Sequence, residues 1–309
     1  MSDFTTVLDF VNSQQDLYTT IQVCNKDMMF ITNTPFSLER IVTLMVSEPE
    51  TIAWLNSMNE DDILWDIGAN VGIFTIYAAV QRGVSVFSFE PESNNYALLN
   101  KNIQINHVNE KVKAVCCGLS DVTSLVNLYK YCDFESSGIN SVGQEIDAHL
   151  KPRKSLASQA VMAYKGTDIH DLLHIPYPTH IKIDVDGIEH LIINGLADFL
   201  KNDCKSILVE LNFGIEEHRN AAELLHSFGF VVHSQLTDDT QIKDGYWKGM
   251  VNIIFVRDQA LSENIYQNYR EYVDNSSAHS EYRECLRNNS SSRYVDSEHS
   301  FQFRTLKRK

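Results

Sequence analysis

The sequence predicts an α/β fold: a mainly parallel sheet with helices on both faces. Three observations carry that expectation. From Ile63 onward, short apolar runs alternate with helical patterns, as repeated strand–helix units require. The first unit turns on two glycines in "ILWDIGANVGIFT". A later run, "THIKIDVDGIEHLIING", sets charged residues in what reads as a central strand, where apolar side chains normally fill both faces.

The elements follow in order. Residues 17–33 suggest two short strands around a turn at Asn25 and Lys26, and helical patterns cover 36–47 and 50–58. Strands are expected at 63–67, 84–89, 111–117, 180–185 and 206–211, with helices at 71–82, 93–106, 187–200 and 216–228. Ser93 is placed to cap the second of these helices, and Gly83 and Gly229 follow the first and the last, as helix ends favour. Runs 230–235 and 250–256, joined by a polar loop, read as an antiparallel pair. Residues 120–178 interrupt the alternation before the fourth strand, with the strand-like "SLVNLYKY", the loop "ESSGINSVGQ", the strand "QAVMAY" and the short helix "TDIHDLL". Insertions at the carboxyl edge of such sheets shape substrate pockets. The organisation expected is a cap over 1–60, a main domain over 61–258 and a polar tail over 259–309, partly disordered because "NNSSSRYVDSEHS" is poor in apolar residues.

Composition narrows the partners. Of 309 residues 43% are apolar and 22% charged, which suffices for a sizeable core. The net charge of -15 repels phosphate backbones and counts against nucleic acid. Six cysteines form no CxxC pair and no zinc-spaced cluster with histidine, a pattern of reduced thiols and a cytoplasmic location. The amino-terminal stretch reads as no signal peptide, and no apolar run reaches the length of about 18 residues that a membrane span needs.

The glycine bend presents main-chain amides to a ligand. Its pattern, Gly68-Ala69-Asn70-Val71-Gly72, puts Asn70 where a dinucleotide fingerprint has its middle glycine, so diphosphate loses its close approach. Asp66 before the turn favours a ligand with a positive group. The next strand ends at Glu90, where an acid reaches the two hydroxyls of an adenosine ribose. Two acids, a glycine turn and no phosphate grip describe S-adenosyl-L-methionine, with its ammonium near Asp66 and its ribose on Glu90. Small residues Cys117 and Gly118 after the third strand admit adenine, and Asp121 can accept from its amine or serve as an ordinary turn residue.

In the charged strand Ile181, Ile183 and Val185 share one face, and Lys182, Asp184 and Asp186 the other. A buried Lys182 needs a carboxylate, with Asp66 and Asp184 the nearest candidates; a purely structural ion pair serves equally for Lys182. Asp184 and Glu210 sit where α/β sheets place their ligands. Asp184 is the first candidate for the base, Glu210 the second, ahead of His170, His190 and His218. Asp184, Asp186, Glu210 and Asn212 also offer oxygens to Mg²⁺, the lesser reading, so no metal is expected.

In this order, "DIGANVGIFT", "FEP", "KIDVDGIEHLIING" and "VELN" resemble an FkbM-type S-adenosylmethionine-dependent methyltransferase, over roughly residues 40 to 258. "SEPETIAWLNSM" resembles that family's lead-in helix. The resemblance implies a class I, Rossmann-like methyltransferase fold with a seven-stranded sheet whose last strand is antiparallel. It also implies methylation of hydroxyl oxygens on sugars, glycans or polyketide-like metabolites. Asp66, Gly68, Asn70, Gly72 and Glu90 match its cofactor contacts, and Lys182, Asp184, Gly187 and Glu189 its third motif. Asp186 stands where the family usually has Glu. The function expected is therefore O-methyl transfer to a small-molecule or glycan hydroxyl. The rivals are an inactive methyltransferase-like binding module, a nicotinamide-dependent oxidoreductase, which the glycine spacing disfavours, and an RNA methyltransferase. The acceptor and the oligomeric state stay open.

Overall fold

The computed structural model describes residues 16–132, 136–201, 204–243, 245–275 and 304–306. Strands β1 (Tyr18–Val23) and β2 (Lys26–Ile31) form a hairpin whose turn residues, Cys24 and Asn25, have φ of 48° and 63°. That left-handed pair suits the twist of a two-residue hairpin. Helix α1 (Pro35–Ser47) begins with a reciprocal cap between Thr34 and Ser37, and Pro35 occupies its first turn. Helix α2 (Pro49–Asn56) leads into β3 (Ile63–Ile67). Helix α3 (Ile73–Tyr77) continues as a π-helical turn over Ala78–Arg82 and stops at Gly83, φ 70°. Strand β4 (Ser85–Phe89), helix α4 (Ser93–Ile105) and strand β5 (Val112–Val115) complete the first half. The cap of α4 is Glu92, not Ser93: its carboxylate accepts from the amides of Asn94 and Asn95.

The insertion forms a sheet of its own. Its strands are β6 (Gly118–Ser120), β7 (Ser124–Lys130), β8 (Asn140–Val142) and β9 (Ala157–Lys165), in the order β6-β9-β7-β8. Helix α5 (Gly166–Leu173) returns the chain to β10 (His180–Ile183). Helix α6 (Glu189–Leu200), β11 (Ser206–Asn212), helix α7 (Glu216–Ser227), β12 (Val231–Val232), helix α8 (Ser234–Thr240), β13 (Met250–Val256), helix α9 (Gln259–Asn275) and β14 (Arg304–Leu306) follow.

The main sheet has seven strands in the order β12-β13-β11-β10-β3-β4-β5. Strands β10, β11, β3, β4 and β5 pair in parallel, and β13 runs antiparallel to both its neighbours. The order reverses beside β3, the place where open α/β sheets bind ligands. Alternation along β3 serves two cores. Leu64 joins Met28, Phe30, Trp54 and Leu99 on one face, while Trp65 and Ile67 join Phe89, Ile181, Ile183 and Phe199 on the other.

Three further expectations fail. Val231–Val232 is a two-residue strand rather than a run to 235, because His233 accepts from the Leu236 amide and starts a helix where a polar loop was expected. Strand β10 ends at Ile183 rather than 185, since Asp186 (φ 59°) and Gly187 (φ 142°) leave extended geometry. Residues 259–275, placed in a polar tail, form α9, whose Ile265 and Tyr269 lie in the first core. The segment "NNSSSRYVDSEHS" lies outside the described residues.

Gly195 brings α6 onto the insertion: a Cβ there would stand 2.1 Å from the Ser120 carbonyl oxygen. Gly195→Ala is expected to cost about 1–3 kcal/mol, read as a lower melting temperature; an unchanged one would refute the close approach.

Candidate active site

Two cavities meet at the bend after β3. The larger, about 580 Å³, is lined by Gly68, Asn70, Glu90, Cys117, Asp184 and Glu210, with residues 137–140 of the insertion and Phe36 and Arg40 of α1 around them. The smaller, about 210 Å³, is lined by Asp66, Ala69, Phe74 and Lys182, and shares Arg40, Gly68, Asn70 and Asp184 with the first.

Gly68 is required by proximity. At φ 82°, a Cβ would lie 1.9 Å from the Asp184 carbonyl oxygen, so only glycine lets β3 end so close to the β10 exit. The amides of Gly68 and Ala69 donate to the Phe89 carbonyl, so these two are used inside the sheet edge. Asn70, at φ 51°, donates its amide to Glu90 Oε2 at 2.8 Å. Gly72 lies elsewhere: its Cβ position is 2.4 Å from Leu99 Cδ1, and it lines neither cavity. It starts α3 and admits α4, a packing role rather than a ligand contact.

Glu90 is 5% exposed. Its Oε1 accepts from the Glu92 amide and its Oε2 from that of Asn70, both at 2.8 Å. A carboxylate accepts about four hydrogen bonds, so capacity remains on the cavity side. Burial pushes its carboxyl up to about 7. Cys117 and Gly118 line the larger cavity, with Val142 of the insertion packed over Gly118. Burial drives the Cys117 thiol up to about 12, so it stays protonated. Asp121 lines neither cavity and takes a hydrogen bond from Ser120 Oγ at 3.1 Å; the chain turns away from the sheet edge before reaching it.

Lys182 is 2% exposed and stands beside Asp66 in the β10–β3 pairing. Its ammonium donates to Asp184 Oδ2 at 2.7 Å and lies 5.0 Å from the Phe74 ring centre. Burial disfavours its charge, but Asp184, Glu48 and Asp66 hold it above the ordinary lysine range. Asp66 Oδ2 accepts from Thr75 Oγ1 at 2.5 Å, while the buried Oδ1 has no partner. Burial raises the Asp66 carboxyl against the pull of Lys182.

Beyond Lys182, one carboxylate oxygen from each of Asp184, Asp186 and Glu210 lies within 4.8 Å of the others. Burial acts to raise Asp184, but Lys182 wins and lowers it. Burial and neighbouring carboxylates push Asp186 and Glu210 well up. One site thus holds an ionised carboxylate beside two proton-holding ones, the separation that acid–base chemistry exploits. The spacing also suits oxygen ligation of a divalent cation. Asn212 does not join them: its Oδ1 accepts from the Gly214 amide and its Nδ2 donates to the Lys248 carbonyl.

The loop bearing Asp184 and Asp186 is held from behind. Glu189, fully buried, accepts from the amides of Val185 and Gly187. His218 Nε2 stands 3.5 Å from Glu189 Oε2, and its Nδ1 accepts from the Asn212 amide at 3.0 Å. One buried imidazole therefore links the exits of β10 and β11. His170 stacks on Tyr177 and His190 faces His218, both outside the cavities. Tyr129, Tyr131 and Tyr164 line neither cavity.

Some lining residues escaped the sequence reading. Phe36 and Arg40 of α1, Glu48 and Glu50 beside it, the loop Ser137–Asn140 and Trp247 all border the larger cavity. Only the loop carried a signal, as part of an insertion at the carboxyl edge.

The raised carboxyls set a pH dependence. An unfolded Glu releases its proton near 4.5, whereas Glu90 and Glu189, desolvated by burial, keep theirs to about 7. The native state binds the extra protons in that window, so stability falls as pH rises through it. Glu189→Gln, neutral throughout, is expected to lose less melting temperature between about pH 5 and about pH 8 than the unaltered protein. An equal or steeper fall would contradict the buried, protonated carboxyl.

Comparison with known proteins adds the family. The hexuronic acid methyltransferase AglP of Haloferax volcanii is 24% identical over 162 residues, 52% of this chain and 61% of that protein. Methyltransferase 1 of Beauveria bassiana is 24% identical over 190 residues, 58% of this chain and 76% of that one. The chain thus spans under two thirds of the length of the first and about three quarters of the second. Among solved structures, methyltransferase FkbM from Methylobacillus flagellatus aligns over 71% of this chain and 60% of its own, at 12% identity and a TM-score of 0.40. No helix among the described residues is long and apolar enough to cross a membrane. Residues 66–232 match the methyltransferase FkbM domain, and the chain belongs to that family of Rossmann-like enzymes, which use S-adenosylmethionine.

Proposed function

We propose that this chain is an O-methyltransferase of class I architecture that methylates a hydroxyl of a sugar, a glycan or a polyketide-like metabolite. The observation that carries the reading is the single cavity that joins the Glu90 carboxylate to the Asp184 and Glu210 carboxylates across the Gly68–Asn70 turn. Its volume of about 580 Å³ is in the range of small-molecule sites. We read 61–258 as the catalytic domain and 1–60 as a cap that adds Phe36 and Arg40 to its wall.

The residues fit the cofactor. Glu90 has spare acceptor capacity for ribose hydroxyls, the unpartnered Asp66 Oδ1 suits an ammonium, and Cys117 and Gly118 border the same cavity as Glu90, where adenine would lie. When bound, S-adenosylmethionine supplies a methyl group already activated by a sulfonium. The chain then has to align the acceptor and exclude water, and such orientation is worth roughly 7–11 kcal/mol. Asp184, kept ionised by Lys182, takes the acceptor's hydroxyl proton. Glu210, which holds its own proton, orients the acceptor oxygen. Lys182 is a positioning residue, acting through Asp184. The hexuronic acid substrate in the name of AglP supports a sugar acceptor.

Calorimetric titration with S-adenosylhomocysteine, then methyl transfer to hexuronic acids and their glycosides, tests the proposal. Glu90→Ala is expected to lose cofactor affinity. Asp184→Asn is expected to keep it while kcat falls by about 10²–10⁴-fold. Absence of S-adenosylhomocysteine binding would favour an inert binding module, and an unaltered kcat in Asp184→Asn would remove the base.

A further inference from the structure

Residues 136–140, which lead into and open β8, are fastened to the site by their main chain. Asn70 Nδ2 and Asn95 Nδ2 both donate to the Ser137 carbonyl at 3.0 Å. The Ser136 amide donates to Asn95 Oδ1 at 2.9 Å, and Arg40 Nη1 donates to the Ser136 carbonyl at 3.0 Å. The Asn140 amide closes back on the Gly138 carbonyl. Three other elements therefore hold the backbone in place.

Its side chains are left without partners. Ser137 is 4% exposed and borders the larger cavity, yet its hydroxyl has no hydrogen-bond partner. Asn140 borders the same cavity, and its buried Oδ1 is equally unpartnered. Leaving buried polar atoms unpaired is costly, and the main chain of Ser136 and Ser137 is already committed to Arg40, Asn70 and Asn95. A ligand in the cavity can supply the missing partners. The anchors point to which end of it. Asn70, whose side chain holds Ser137, gives its amide to Glu90 Oε2, and Asn95 also acts on the Glu90 carboxyl. Ser137 is thus tied to the two residues that frame Glu90. A serine hydroxyl and an amide oxygen are neutral and match hydroxyls and ring amines rather than a charged group.

We propose that Ser137 and Asn140 hydrogen-bond the nucleoside part of S-adenosylmethionine, so that the insertion completes the cofactor site opposite Glu90. This rests on the cofactor reading above. The loop then serves the cofactor rather than acceptor selection, and cofactor binding supplies partners for the Ser137 hydroxyl and Asn140 Oδ1.

The test compares S-adenosylhomocysteine with 5′-methylthioadenosine, which keeps the nucleoside and lacks the amino-acid end, by calorimetry. Ser137→Ala and Asn140→Ala are each expected to weaken both ligands by the same factor, about 5–10-fold, with no loss of melting temperature in the ligand-free protein. Unchanged affinities in both variants, or a loss for S-adenosylhomocysteine alone, would overturn the assignment while leaving the cofactor site standing. Failure of the unaltered protein to bind either ligand would overturn both.

Discussion

The site depends on one buried ammonium. Lys182 lies in the middle of the parallel sheet, where a lone charge is unsustainable, and it is sustained by Asp184 at 2.7 Å and by Asp66 on the adjacent strand. Each carboxylate gains from the arrangement. Asp184 stays ionised among acids that hold their protons, and Asp66 keeps one oxygen on Thr75 and one toward the smaller cavity. Lys182 thereby couples the bend after β3 to the carboxylates at the exits of β10 and β11. Removing its charge would leave two buried acids to repel each other.

Around that pair the carboxyl ends of β3 and β10 are drawn close. The Asp184 carbonyl occupies the space a side chain at Gly68 would need, so the β3 and β10 exits form one surface. Glu189 and His218 fix the next step outward, from β10 to β11. Asp184 is held by Lys182, and the loop that carries Asp184 and Asp186 by main-chain hydrogen bonds to the Glu189 carboxyl.

Residues of α1 and of the insertion extend the sheet edge into the wall of the larger cavity. Arg40 bridges them, donating to the Ser136 carbonyl from α1. It also places the cation of the cap beside Asp184 and Asp186. Glu48 and Glu50 add further acids, and Asn252 donates to both. Burial together with the neighbouring Glu48 pushes the Glu50 carboxyl up to about 8. Glu50, Asp186 and Glu210 are therefore held toward the neutral form by burial, a consequence of desolvation that composition alone does not reveal.

Much of this was written in the local sequence. Strand–helix alternation, the glycine bend, Glu90 at a strand end and the Lys182–Asp184 run are short-range patterns, and each marks its element or its chemistry without long-range information. The differences lie in what spacing does not register. Gly72 sits against Leu99, and Asp121 borders neither cavity. Helices 234–240 and 259–275 look polar because burial of one face, as at Leu236, Ile265 and Tyr269, is enough to hold them. Which residues from distant segments close the cavity (Phe36, Arg40, Ser137, Trp247) was decided only by tertiary packing. Sequence determined the sheet edge because backbone periodicity is local; the walls came from contacts between segments up to about two hundred residues apart, whose free energy no local pattern encodes.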